Sequence, residues 1–111
     1  MAAVPLNLTL EQGADFSVNF TVRNKDTTPL NLLGYTAFSE MRKHYTAVKK
    51  YDFDVTFLDR AKGRISISMS DSVTATLTEG RYVYDVFIES SNGTKTKVIA
   101  GMVLVHPGVS F

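Results

Sequence analysis

Phe16-Ser17-Val18-Asn19-Phe20-Thr21-Val22-Arg23 alternates large apolar with polar side chains over eight residues. A period of two sends successive side chains to opposite faces of an extended chain, so this stretch predicts a strand with one face buried and one wet. Asn24-Lys25-Asp26 ends it with turn-forming residues. Upstream, Leu6, Leu8 and Leu10 repeat the pattern before Glu11-Gln12-Gly13 turns the chain. Downstream, the loop from Pro29 to Gly34 leads to a third strand with Tyr35, Ala37, Ser39 and Met41 on one face and Phe38 on the other. Ser39 is smaller and more polar than an inward position favours, and a slip of one residue there would turn Phe38 inward.

The rest of the chain keeps the same period. Tyr51, Phe53, Val55 and Phe57 predict a fourth strand, joined through Asp59 to Gly63 to a fifth that carries Ile65, Ile67 and Met69 inward. Asp71 to Leu77 reads as one capped helical turn with Val73 and Leu77 four apart on one side. Arg81 to Ser90 and Thr94 to Val105 flank Ser91-Asn92-Gly93, whose Asn-Gly pair tolerates the positive φ of a tight hairpin. About seven short strands with one helical turn predict an all-β, immunoglobulin-like antiparallel sandwich in a single domain over residues 1–111, with a small barrel as the alternative.

Composition supports a folded chain and narrows its chemistry. Of its 111 residues, 44% are hydrophobic and 21% charged, which is enough apolar surface to build a core. Twelve basic against eleven acidic side chains give a net charge of +1, so no global field draws the chain to nucleic acid or anionic lipid. The absence of Cys excludes disulfides, thiolate metal sites and Cys nucleophiles. No apolar run reaches the ~18 residues of a membrane-spanning helix, and Met1 to Pro5 lacks the features of an export signal. No membrane partner is expected.

Catalytic patterns are lacking. His44 and His106 have no ligand-spaced partner, so no metal or other cofactor is expected. The same-face pairs Asp52/Asp54 and Asp85/Glu89 are what the wet face of an antiparallel strand produces routinely. There is no Gly-x-Ser-x-Gly elbow and no phosphate-cradling glycine pattern, so no catalytic residue is assigned and the chain is not expected to be an enzyme. Arg42, Lys43, His44, Lys49 and Lys50, interleaved with Tyr45 and Tyr51, form a small basic and aromatic loop, but Asp52, Asp54 and Asp59 follow closely. Nucleic acid is therefore not an expected partner.

The anomaly lies on faces that should be wet. If Tyr82, Tyr84, Val86 and Ile88 face inward, Val83 and Phe87 face outward; if Val98, Ala100, Met102 and Leu104 face inward on the last strand, Ile99, Val103 and Val105 face outward. In an immunoglobulin-type sandwich these strands neighbour the one bearing Phe38. Phe38, Val83, Phe87, Ile99 and Val103 then form one apolar protein interface. Burying ~400 to 800 Å² at ~25 cal/mol per Å² gives about 10 to 20 kcal/mol gross, before the cost of association, which suits a homo-oligomer.

Several segments carry a family resemblance. They are Gly63 with its strand, the Asp71 to Leu77 turn, Gly80-Arg81-Tyr82 with Tyr84-Asp85, and Gly101 with Val105 to Pro107. In the amino half they are LNLTLEQG, Gly34-Tyr35-Thr36-Ala37 and Met41-Arg42-Lys43. With these the chain resembles small virion structural proteins of tailed phages, especially those infecting marine cyanobacteria, and the immunoglobulin-like domain that opens some phage upper-baseplate proteins. The resemblance implies a tail or baseplate adaptor in the virion, made in the bacterial cytoplasm, that packs against other virion proteins and copies of itself. The alternative is a carbohydrate-binding module for host attachment, using Tyr45, Tyr51 and nearby carboxylates.

Overall fold

A computed structural model describes residues 4–24 and 26–109. Their order is β1 (Val4–Pro5), β2 (Leu8–Glu11), β3 (Phe16–Thr21), β4 (Thr36–Arg42), β5 (Lys50–Asp59), β6 (Arg64–Met69), α1 (Asp71–Thr74), β7 (Gly80–Glu89) and β8 (Lys95–His106). One layer runs β1/β2, β8, β7, β4, β5, and the other runs β5, β6, β3. β5 belongs to both: Lys50 to Phe53 pair with β4, and Asp54 to Asp59 pair with β6. The inner faces of the two layers meet over a core that includes Leu10, Met41, Ile65, Ile67, Val86 and Val103. The fold is the immunoglobulin-like sandwich that the sequence predicts, with two differences in strand pairing. The first predicted strand is two short pieces, and both run parallel to β8. The remaining strand pairs are antiparallel.

The break between β1 and β2 has a local cause. Leu6 donates its N–H to Ala100 O at 3.1 Å and accepts the Tyr84 hydroxyl on its own carbonyl at 2.6 Å. Asn7 turns its side-chain oxygen to the Met102 N–H at 3.1 Å. This crossing lies directly over Gly101, where a Cβ would sit 2.8 Å from the Leu6 carbonyl carbon, so only glycine admits the approach. Burial of Tyr84 pushes its phenol pKa up to about 12.

In the helical turn Thr74 and Leu77 are buried while Val73 is exposed, and the Thr74 hydroxyl donates to Ala14 O at 2.9 Å. Ser70 occupies the cap position without a side-chain cap bond, and a carboxylate oxygen of Asp15 instead accepts the Asp71 N–H at 2.8 Å. After the turn, Tyr82 donates its hydroxyl back to Thr78 O at 2.9 Å, the tyrosine-corner arrangement found at this point of immunoglobulin sandwiches. In the β7–β8 hairpin only Gly93 takes a positive φ, of 88°. Ser90 and Thr94 close the three-residue loop Ser91-Asn92-Gly93.

The phase of β8 corrects the sequence reading. A bulge sets Val86 opposite Ile99 but Phe87 opposite Lys97, leaving Val98 as the extra residue. Val98 and Ile99 are therefore both buried, and beyond them the inward set is Val103 and Val105 instead of Met102 and Leu104. Ile99 at 5% and Val103 at 0% exposure are core residues, not outward ones. β4 keeps its predicted phase: Ser39 is buried and donates its hydroxyl to Asp85 O at 2.7 Å, which explains a small polar residue there.

Candidate interaction surface

The outer face of the β8–β7–β4 sheet brings together some of the predicted residues and replaces others. Phe38 is 42% exposed and stacks on half-buried Phe87, its cross-strand partner, with centroids 5.6 Å apart and planes 2° from parallel. Val83 lies between Arg42 on β4 and Met102 on β8. Met102 and Leu104, 41% and 45% exposed, take the outward places that the sequence reading gave to Ile99 and Val103. The signal for them was present: Lys97 shares parity with Val103, so a single unbroken phase must misplace one of the two.

The apolar surface is divided by a polar row. Glu40 on β4 faces Asp85 on β7, which faces Ala100 on β8, between Phe38/Phe87 at one end and Val83/Met102/Leu104 at the other. Two carboxylates side by side repel, and cations around them offset the repulsion. Glu40 accepts from Lys50 at 2.6 Å and Arg42 at 3.3 Å, and the Lys50 bond foremost holds its carboxyl below the usual glutamate value. Asp85 is pushed the other way, chiefly by burial, with Lys97 at 3.9 Å opposing the rise. Lys97 also lies 5.6 Å from the Phe87 ring centroid, linking the charged row to the aromatic pair. A shallow hollow of about 130 Å³ opens between Glu40, Arg42, Tyr45, Val83, Tyr84 and Asp85.

The basic loop directs several charges back onto its own chain. Lys43 lies 4.8 Å from the Tyr82 ring centroid and Lys49 5.4 Å from that of Tyr51, while Arg42 also donates to Ala47 O at 3.2 Å. Tyr45, at 73% exposure, projects from this loop. His44 and Thr46 share a hydrogen bond of 3.2 Å. Among the described residues no three His, Asp or Glu side chains converge as metal ligands would, and no helix is long and apolar enough to cross a membrane.

The N-terminal domain of phage TP901-1 ORF48 superposes with a TM-score of 0.58 at 14% identity, over 92% of this chain and 94% of that one. The chain is similar in fold to a phage domain. Further matches are the Lin-41 filamin domain (TM-score 0.49, 17% identity, 90% of this chain and 84% of that one) and the internalin-like protein lmo2027 of Listeria monocytogenes (0.44, 13%, 96% and 28%). Scores this low add nothing to the assignment of the fold. No protein-family model and no curated protein matches the chain. The likeness to the phage domain therefore concerns architecture, and the surface chemistry must be read from this chain's own residues.

Proposed function

We propose that this protein is a non-enzymatic structural part of a phage particle, a rigid adaptor of tail or baseplate type that docks through the outer face of its β8–β7–β4 sheet. The observation that carries this reading is the exposed Phe38 stacked on Phe87, in one sheet face with exposed Met102 and Leu104. Apolar side chains grouped in this way are stabilised by a covering partner. The polar row between them favours a partner that meets apolar contacts at both ends and offers hydrogen-bonding groups in the middle, such as a second copy or another virion protein. The phage domain of similar fold and the sequence resemblance to virion proteins support the setting.

The test is a Phe38→Glu, Leu104→Glu double variant, which charges both ends of the face at positions already in contact with water. The expected result is a wild type that forms an oligomer by light scattering at micromolar concentration, or that is found in purified particles, and a folded variant that does neither. A monomeric wild type absent from particles, or a variant that assembles as well as the wild type, would overturn the reading.

A further inference from the structure

A second surface lies where the β3 edge of one sheet comes beside β1 and β8 of the other. β3 ends its sheet, and its far side pairs with no described strand. Val22 donates its N–H to Gly63 O and accepts Leu30 N–H on its carbonyl, both at 2.8 Å, so both of its backbone groups point toward the β6 side. Backbone direction repeats every two residues, so Phe16, Val18 and Phe20 also point that way and pair with β6. The N–H and C=O groups of Ser17, Asn19 and Thr21 therefore line the free edge. β3 itself has no charge, Pro or bulge, the devices by which sheet edges usually avoid pairing.

Beside the Thr21 end of this edge lies a cleft of about 550 Å³, and its walls include Val4, Leu6, Phe20, Val22, Val98 and Ile99. Val4 is 60% exposed there. Residues of β1 and β8 supply the wall facing β3, and both short N-terminal pieces pair with β8 instead of with β3. Arg23 stands on the rim, with one guanidinium N–H on Thr27 O at 2.9 Å and no ion pair among the described residues.

We propose that this cleft receives a single extended segment of another polypeptide, antiparallel to β3, apolar at alternate residues and bearing a carboxylate where it passes Arg23. Its backbone would complete the ladder on Ser17, Asn19 and Thr21, the apolar side chains nearest its acidic end would fill the cleft between Phe20 and Val22 and the facing β1 and β8 residues, and its acidic residue would pair with the guanidinium. The antiparallel direction places that acidic residue at the segment's own N-terminal end.

A fluorescent peptide, Asp-Leu-Thr-Val-Thr-Leu-Thr, titrated into the full chain tests this by anisotropy together with amide hydrogen exchange. Binding should protect the Ser17, Asn19 and Thr21 amides. Arg23→Glu should weaken binding at least about tenfold and reverse the preference toward the peptide with Lys in place of its Asp. Asn19→Pro, which removes an N–H that faces solvent and is tolerable on an edge strand, should abolish binding with little change in melting. If Asn19→Pro unfolds, Arg23→Glu decides alone. The proposal is overturned if the peptide does not bind at millimolar concentration, if protection falls on the strands bearing Phe38 and Leu104, or if the three amides are already protected without peptide. In that last case a second copy or the chain's own residues occupy the cleft.

Discussion

Gly101→Ala adds one methyl group where the chain between β1 and β2 crosses β8. The new Cβ would lie 2.8 Å from the Leu6 carbonyl carbon and 3.0 Å from Asn7 Oδ1, both shorter than the 3.4–4 Å of ordinary van der Waals contact. Gly101 has no positive φ, so the cost is steric and not a matter of backbone preference. For the methyl to fit, the Leu6–Asn7 segment must withdraw and loosen three hydrogen bonds: Leu6 N–H to Ala100 O, Tyr84 hydroxyl to Leu6 O, and Met102 N–H to Asn7 Oδ1. At about 0.5 to 1.5 kcal/mol each, the expected loss is about 1.5 to 4.5 kcal/mol, or a fall in Tm of roughly 6 to 18 °C at about 4 °C per kcal/mol. Urea unfolding followed by circular dichroism gives the energy, and amide exchange at Leu6 and Met102 locates it. In Tyr84→Phe, which removes one of the three bonds, Gly101→Ala should cost less than in the wild type, because the two changes act on the same segment. A loss under about 0.5 kcal/mol with unchanged exchange at Leu6 would refute the claim that Gly101 admits the crossing.

Two further expectations concern protons. The Tyr84 phenol, held up to about 12 by burial, should ionise only with or after unfolding in a spectrophotometric titration. Its folded value lies above its unfolded one, so its contribution to stability is complete below the ordinary tyrosine value and is lost as pH rises toward 12; Tyr84→Phe should flatten that alkaline decline. On the outer face, Glu40 and Asp85 should respond oppositely. Glu40 is depressed by Lys50 and Arg42, so its contribution is present above the ordinary glutamate value and is lost as acid takes the pH down through its lowered one. Asp85 is raised by burial, so its contribution is favourable in acid and is lost as pH rises through its raised value. Thermal melts should show Glu40→Gln lowering Tm at neutral pH and shallowing the acid decline, and Asp85→Asn leaving neutral Tm unchanged or higher. The same sign of change in both variants at neutral pH would contradict the assignment.

Local alternation determined most of this architecture. Phe16 to Val22, Tyr51 to Phe57 and Ile65 to Met69 could present their large residues to a core in only one way, because a side-chain period of two ties every residue in an unbroken strand to its neighbours. The resulting strand count and the Asn-Gly hairpin were enough to predict a sandwich. The same logic failed on β8, where one bulged residue changed the parity and exchanged Ile99 and Val103 for Met102 and Leu104 on the outer face. A bulge depends on the partner strand, and period counting within one strand has no knowledge of its partner. The unpaired β3 edge and its cleft were equally illegible, since they exist because β1 and β2 chose β8 across some ninety residues of sequence. That choice depends on long-range contacts, the Tyr84 hydroxyl and the missing Gly101 side chain, which only the folded chain brings to Leu6.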